Sequence, residues 1–176
     1  MDSFTPMEAR IRAVATRLPG GPPVRSQILS RLLVHVHQRF ETALQQALAP
    51  HGLGIHAWSA LMLMYSDPHD ELNPCALSAL TNLSRTNVTR LMDDLVARGW
   101  VSRRPAEADR RRVLLSLTAH GIPFVESVLP DVRALYSAIW DGFDDAELVH
   151  YERLSRGLLA RLEAFEAEAV QPGETP

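Results

Sequence analysis

The sequence contains no lysine, and all 18 of its basic residues are arginine. Every basic position therefore carries a planar, permanently charged guanidinium group, which suits phosphate groups and base edges. Cys75 is the only cysteine, and a single cysteine excludes an intramolecular disulfide and a cysteine-rich zinc site. No run of about 18 apolar residues could span a bilayer, and no signal peptide is predicted. We expect a cytoplasmic protein without a membrane partner.

Signatures of catalysis and of metal binding are also lacking. The sequence has no glycine-rich nucleotide loop, no Gly-x-Ser-x-Gly and no paired carboxylates on a shared polar helix face. His35 and His37 stand two residues apart, a spacing that prevents them from facing one ion on a helix. We predict neither an enzyme nor a cofactor or metal site.

The charge is unevenly distributed along the chain. The formal net charge of the 176 residues is -3, but residues 84–112 hold eight arginines against four acidic residues, a net charge of +4. The remainder of the chain therefore carries -7. The hydrophobic content of 46% is sufficient for one compact domain with helical extensions. Composition permits binding to nucleic acid through one basic region.

Helices dominate both ends of the sequence. Thr5 and Glu8 form a predicted capping box, with Pro6 at the first helical position, for a helix that ends near Leu18. Apolar residues at spacings of three and four predict a long amphipathic helix over 26–48. After an apolar and therefore buried helix over 56–65, the later helices are predicted over 118–140 and 145–165. In the last of these we expect five residues to point inward: Leu148, Leu154, Leu158, Leu162 and Phe165.

A helix–turn–helix is predicted in the middle of the chain. Asn73 and Pro74 are typical of the start of a short helix that ends near Leu80. Ser84 can cap a second helix, over 85–98, whose apolar residues lie on one side and whose arginines and threonines lie on the other. Such a second helix could enter a major groove, although an ordinary helical pair with a solvated polar face has the same pattern.

A β-hairpin is predicted to follow. Residues 100–103 can form a strand, 105–109 a polar turn, and 113–117 a returning strand with alternating side chains. Helix, turn, helix and arginine-tipped hairpin together make a winged helix. The predicted fold is therefore mainly α with a small β-hairpin wing.

The stretch SRTNVTRLMDDLVARGW followed by DRRRVLLSLTAHG resembles the MarR family of bacterial transcription regulators. In that family the wing carries an Asp-x-Arg motif ahead of a strand and of the motif Leu-Thr-x-x-Gly. Here the first motif is Asp109-Arg110-Arg111, and the second runs from Leu117 to Gly121. Within the family, the chain is similar to the branch that represses multidrug efflux in enteric bacteria. The stretches that carry this similarity are MDSFTP, LSRLLVHVHQRF and TRLMDDL.

The resemblance implies a homodimeric repressor in which N-terminal and C-terminal helices interlock. Its two winged helices would bind a pseudo-palindromic double-stranded DNA operator, and a small lipophilic aromatic or phenolic effector would release them. The expected segments are an N-terminal helix and linker (1–25), a dimerisation helix (26–50), the DNA-binding lobe (51–117), C-terminal dimerisation helices (118–168) and a flexible tail (169–176).

Specific residues carry the expected DNA contacts. Within the wing, Arg111 would enter the minor groove, Arg110 and Arg112 would contact phosphates, and Asp109 would pair with Arg98 to order the wing. On the recognition helix we expect base contacts from four residues and phosphate contacts from two: Arg85, Thr86, Thr89 and Arg90, then Ser84 and Asn87. Polar or aromatic residues on otherwise apolar helices are the candidates for effector binding: Arg31, His35, Trp58, Met62 and Tyr136.

Two alternatives remain open. A regulator with a single reactive cysteine would sense oxidants through Cys75, although this residue lies outside the N-terminal region where relatives of that type carry theirs. A helical dimer that binds a ligand or a protein, and never DNA, would show no salt-dependent affinity for duplex DNA.

Overall fold

The structure, a computed structural model, describes residues 2–17, 23–66, 72–81, 83–105 and 113–170. Its helices are α1 (Thr5–Arg17), α2 (Val24–Leu48), α3 (Ile55–Ser66), α4 (Pro74–Thr81), α5 (Arg85–Ala97), α6 (Gly121–Trp140) and α7 (Asp145–Val170). A 3-10 turn, Ala49–His51, follows α2, and strands β1 (Val101–Pro105) and β2 (Val113–Leu117) lie between α5 and α6. The predicted mainly helical fold with a hairpin wing is confirmed.

The chain forms two compact units, Met1–Leu135 and Tyr136–Pro176. The boundary between these two units does not test the five functional segments expected from the sequence, so those segments stay predictions. No helix in the described ranges has the length and apolar character needed to cross a membrane.

The cap of α1 differs from the prediction. Asp2, and not Thr5, supplies it, since Asp2 Oδ1 accepts hydrogen bonds from the backbone N–H groups of Phe4 and Thr5, both at 3.0 Å. The Glu8 carboxylate, expected to complete a capping box, instead pairs with Arg12 one turn later at 2.6 Å. Hydrogen bonds from the Thr5 hydroxyl and these two amides lower the pKa of the Asp2 carboxyl.

The core lies in the first unit, where the end of α2 meets α3, α4, α5 and α6. Leu48, Leu61, Leu77, Met92 and Leu95 are all fully buried. Burying a side chain of this size stabilises the folded state by about 2 kcal/mol. As predicted, α3 is buried on most of its surface.

The wing is an antiparallel hairpin in which Val101 faces Leu117 and Pro105 faces Val113. A third segment extends it, because the N–H of Leu115 donates to the carbonyl oxygen of Leu72 at 2.8 Å. Leu115 is buried, so one face of the hairpin closes the core of the lobe.

In the second unit, α7 begins with a reciprocal cap. The Glu147 amide donates to Asp144 Oδ1 at 2.8 Å, and the Asp144 amide donates to Glu147 Oε2 at 3.0 Å. Five apolar residues of α7 were expected to point inward, and within a single chain this is wrong for all except Leu148, which is half-buried. Four of them are largely exposed: Leu154 (53%), Leu158 (44%), Leu162 (48%) and Phe165 (70%).

Candidate nucleic-acid interface

Helix α5 presents its polar side to solvent in the orientation that the sequence predicts. Ser84 caps it in an extended backbone conformation, with its Oγ accepting from the Asn87 amide at 3.3 Å. Val88, Met92 and Leu95 are buried and fix the rotation of the helix. The six residues expected to contact DNA from the recognition helix and its cap are consequently all exposed: Ser84, Arg85, Thr86, Asn87, Thr89 and Arg90.

Side-chain hydrogen bonds hold both ends of α4. Asn73 Oδ1 caps α4 by accepting from the amides of Cys75 and Ala76, as its position predicts. At the other end, Ser78 Oγ donates to the carbonyl oxygen of Leu83 at 2.5 Å. The Ser78 bond therefore connects the last turns of α4 to the residue that precedes Ser84, the cap of α5.

Charge is divided along the exposed side of α5. Its two carboxylates lie in the C-terminal half and are paired: Asp93 Oδ1 lies 2.7 Å from Arg103 Nη1, and Asp94 Oδ2 lies 2.9 Å from Arg98 Nε. Within the described part of the chain, Arg85 and Arg90 form no ion pair. The N-terminal half of the helix is therefore cationic and available to an anionic partner.

The Arg103 pair links the wing to α5. Besides the contact of its Nη1 with Asp93, its Nη2 donates to the carbonyl oxygen of Thr89 at 3.5 Å, so an arginine of β1 contacts two residues that lie one turn apart on the helix. These contacts of Arg103 indicate that it positions the wing against α5. Asp93 and Arg103 stand on either side of the turn at Gly99, but the sequence alone does not select this pair among the neighbouring acids and arginines.

Arg98 fixes the end of α5. Its Nη1 donates to the carbonyl oxygen of Gly52 at 3.1 Å, and its guanidinium carbon lies 5.0 Å from the centre of the Trp100 ring. The predicted partner, Asp109, lies outside the described residues, so that pairing stays a prediction. The described contacts nevertheless place Arg98 beside Trp100, the residue that precedes β1.

A tight junction joins the wing to α6. Thr118 Oγ1 donates to the Gly99 carbonyl oxygen at 2.6 Å and accepts from the Gly121 amide at 2.9 Å, which caps α6 as predicted. A Cβ atom at Gly121 would clash with the Trp100 carbonyl group. Trp100 also stacks on Phe124, with ring centres 3.8 Å apart. The Leu-Thr-x-x-Gly motif thus joins the residues before β1 and after β2 to the start of α6.

The tip of the wing lies outside the described residues. This includes four predicted site residues: Asp109, Arg110, Arg111 and Arg112. Pro105 and Val113, the last and first residues of the flanking strands, are both exposed.

The candidate effector residues do not form one site within the first unit. Trp58 belongs to the buried core and Met62 packs against it. His35 is half-buried on α2, where its Nε2 lies 2.8 Å from Ser3 Oγ. Arg31 is exposed and lines a groove between α1 and α2. Tyr136, at 37% exposure, belongs to the second unit.

Two polar contacts join α6 to the lobe. The Tyr65 hydroxyl donates to Glu126 Oε1 at 3.1 Å, and this bond raises the pKa of Tyr65, since the phenolate could not donate to the carboxylate. His51 Nε2 lies 2.7 Å from Asp131 Oδ2.

Cys75 is exposed in the first turn of α4. Among the described residues, no group of three or more His, Cys, Asp or Glu side chains could hold a metal ion.

Helices α4 and α5 and the hairpin define a winged helix–turn–helix, a class of DNA-binding fold. The MarR family model matches residues 51–112. Over 168 residues the chain is 32% identical to the transcriptional repressor MprA of Escherichia coli K12, with 96% of this chain and 95% of that protein covered. The chain belongs to the MarR family, and the predicted membership is confirmed.

Solved structures agree with this assignment. An Escherichia coli MarR mutant complexed with operator DNA matches with a TM-score of 0.67 and 26% identity, covering 74% of this chain and 93% of that chain. BpsR of Bordetella bronchiseptica, whose DNA binding is regulated by 6-hydroxynicotinic acid, matches with a TM-score of 0.67 and 25% identity, covering 78% of this chain and 97% of that chain.

Proposed function

We propose that the protein is a homodimeric transcriptional repressor that binds a pseudo-palindromic operator and is released by a small lipophilic aromatic compound. Its target genes would be multidrug efflux or aromatic-stress genes. The observation that carries the proposal is the exposed N-terminal half of α5, where Arg85 and Arg90 make no ion pair with any described residue while the carboxylates of the helix are paired elsewhere.

The recognition helix supplies the base contacts in this proposal. Arginine can donate two hydrogen bonds to guanine O6 and N7, which suits Arg85 and Arg90. The Thr89 hydroxyl donates to the Arg85 carbonyl oxygen at 3.0 Å. Its methyl group remains for apolar contact with a thymine methyl, and Thr86 can make the same contact. Ser84 and Asn87, at the start of the helix, would contact phosphate.

The wing supplies the minor-groove contact. Arg111 would insert into the groove, Arg110 and Arg112 would contact flanking phosphates, and Asp109 would hold the tip by pairing with Arg98. An arginine in a narrow minor groove responds to groove width and potential more than to base identity. Supporting this role, Arg103 and the Thr118 junction hold both strands of the hairpin against the lobe.

A second copy of the chain completes the proposal. The exposed apolar residues of α7 recur at i, i+4, i+8 and i+11, the pattern of a helix face that packs against another surface. Two recognition helices read successive major grooves when they are about 34 Å apart. An effector that stabilises another separation would weaken DNA binding, and the regulation of BpsR by an aromatic acid supports this class of effector.

The proposal is tested by titrating the purified protein against the DNA upstream of its own gene, over a series of salt concentrations. We expect specific binding that weakens by several orders of magnitude as salt rises, because about six to ten phosphate contacts release counterions. Added salicylate should weaken the binding. Equal affinity for upstream and unrelated DNA would contradict a repressor, and the lack of any salt-dependent affinity for either would favour the helical dimer that never binds DNA.

Arg111→Ala tests the wing. We expect the variant to keep its fold and to lose tight operator binding, by about tenfold or more, because one minor-groove contact per subunit is removed. Fluorescence anisotropy at physiological salt measures the affinity, and circular dichroism checks the fold. Arg12→Ala removes an arginine of α1 and serves as the charge control. Unchanged affinity in Arg111→Ala would remove the wing from the mechanism.

A further inference from the structure

The backbone turn between α2 and α3 continues the end of α2 in a fixed shape. The Gly52 amide donates to the Ala49 carbonyl oxygen at 3.0 Å. The Leu53 amide donates to the Leu48 carbonyl oxygen at 3.3 Å, and the two bonds together form a Schellman motif. Gln45 of α2 adds a side-chain bond, since its Nε2 donates to the Leu53 carbonyl oxygen at 3.0 Å. The turn therefore moves with the last residues of α2.

Arg98, at the end of α5, is hydrogen-bonded to this turn. Its Nη1 donates to the Gly52 carbonyl oxygen at 3.1 Å. Its Nε lies 2.9 Å from Asp94 Oδ2, one turn earlier on α5. The guanidinium carbon also lies 5.0 Å from the centre of the Trp100 ring, close enough for a cation–π attraction. Three contacts thus hold one guanidinium group between α5 and the end of α2.

Helix α6 supports both ends of this link. His51, in the turn, places its Nε2 2.7 Å from Asp131 Oδ2 of α6. Trp100, which contacts Arg98, stacks on Phe124 of the same helix with ring centres 3.8 Å apart. The turn and the end of α5 are therefore attached to one common support.

Apolar packing alone defines the angle between α2 and α5 less well. Leu48 of α2 and Leu95 of α5 are fully buried in one core. The hydrophobic effect is non-directional, whereas a hydrogen bond weakens steeply when donor and acceptor turn out of line. A small rotation of α5 would keep its apolar residues buried but would misalign Arg98 with the Gly52 carbonyl oxygen. Arg98 therefore supplies a directional contact between the two helices.

We propose that Arg98 is a positioning residue that sets the angle between α5 and α2, and thereby the separation of the two recognition helices. The proposal rests on the proposed function, in which α2 belongs to the dimerisation region and α5 reads the major groove. Each base pair between two half-sites moves them apart by about 3.4 Å and rotates them by about 34°. A lobe held at one angle favours one half-site spacing, so Arg98 contributes to operator choice through its contact with Gly52.

Operators of different spacing test this role. Footprinting of the DNA upstream of the gene locates the operator, and one base pair is then inserted or deleted at its centre. Fluorescence anisotropy gives the affinity for each duplex. We expect the parent to prefer the native spacing at least about tenfold, and Arg98→Gln to lower this ratio about fivefold, because the directional bond is lost. The lost charge weakens binding to all three duplexes alike, so it cancels in the ratio.

Two control variants remove other partners of the same guanidinium group. Asp94→Asn removes the ion pair within α5, and Asp109→Asn removes the pairing expected for the wing. Both keep the bond between Arg98 and Gly52, so both should retain the parent's ratio even where their affinity changes. Because the Arg98 side chain is 39% exposed, its replacement should change the midpoint of urea unfolding little. An unchanged ratio in Arg98→Gln, an equal loss in either control, or a parent without spacing preference would overturn the proposal.

Pulsed electron paramagnetic resonance tests the same role without DNA. Spin labels are attached at Gln46→Cys on α2 and Thr86→Cys on α5 in Cys75→Ser protein. An excess of unlabelled chains ensures that the measured distance lies within one chain. We expect a narrow distance distribution in the parent and a broader or displaced one in Arg98→Gln, and identical distributions would overturn the proposal. A parent that binds no operator specifically would contradict the proposed function, and the distance measurement would then decide whether Arg98 sets the angle of α5.

Discussion

The lobe around α5 and the C-terminal helix α7 use apolar residues in opposite ways. In the lobe, Leu61, Met92 and Leu95 are fully buried within the chain itself. In α7, none of the side chains that the structure describes is buried, and Leu158 and Phe165 are 44% and 70% exposed. The lobe therefore encloses its own core, whereas α7 has an apolar face that the chain leaves uncovered. One chain thus contains both a lobe with its own buried core and a helix with an exposed apolar face.

The difference separates two sources of stability. Burial within the chain contributes at any protein concentration, while burial against a second copy contributes only when that copy is bound. In the proposed repressor, the lobe binds DNA and the uncovered face of α7 sets the spacing of two lobes. Substitutions in the two regions should therefore differ in kind as well as in size.

The largest expected effect is the loss of the dimer in a Leu158→Asp, Leu162→Asp variant. Two unpaired carboxylates on the apolar face should raise the dimer dissociation constant at least about a hundredfold, because burying each one costs several kcal/mol. Sedimentation equilibrium measures the constant. The control, Leu61→Ala, should lower the free energy of unfolding by about 3 kcal/mol and leave association unchanged when the protein is folded. An unaltered dimer in the double variant would contradict an interface on α7.

Gly121→Ala should destabilise the lobe by about 2 kcal/mol, since the added methyl group clashes with the Trp100 carbonyl group and must push α6 from the wing. Gly99→Ala is the matched control. Its new Cβ would meet no atom within 4 Å, so only the strain of its φ of 73° remains, worth about 1 kcal/mol. Urea denaturation compares the two variants, and a smaller loss for Gly121→Ala would remove close packing as the reason for glycine there.

Most of the fold could be predicted from the sequence because local signals determined it. Ser84, Asn73 and Thr118 each stand at a predicted helix start and supply the cap through their side chains. The sequence predicted which side of α7 is apolar, but it could not predict which surface buries that side. Periodicity identifies which side of a helix is apolar and carries no information about which surface buries it. The Asp2 cap was missed because Thr5, Pro6 and Glu8 offered a stronger local pattern.

A smaller effect is expected from breaking the link between the wing and α5. Arg103→Gln and Asp93→Asn should each lower operator affinity about tenfold, because the wing loses its fixed position relative to the recognition helix. The double variant should lose little more than either single variant. Since the two side chains are 35% and 59% exposed, the loss of stability should stay below about 1 kcal/mol.

Fluorescence anisotropy on all four proteins completes this cycle. A direct phosphate contact by Arg103 would give another pattern, in which Asp93→Asn binds as the parent does and only the arginine variant weakens. That pattern would exclude the positioning role.

The exposed polar face of α5 could be predicted because Val88, Met92 and Leu95 fix the rotation of the helix. The pairs Arg103 with Asp93 and Arg98 with Asp94 could not be assigned in the same way. Several arginines and acids of this region are near enough in sequence to pair, and only the hairpin geometry selects the partners. The effector candidates were chosen as polar or aromatic residues on apolar helices, a criterion that also selects core residues such as Trp58.

The central claim, that the N-terminal half of α5 reads DNA, is tested most directly by removing equal charge from the two regions. One variant carries Arg85→Ala and Arg90→Ala on α5, and the other carries Arg156→Ala and Arg161→Ala on α7. We predict that the first loses operator affinity at least about a hundredfold and falls toward its affinity for unrelated DNA, while the second changes less than about threefold. Equal losses in the two variants would contradict the claim, because general electrostatic attraction would then account for the binding.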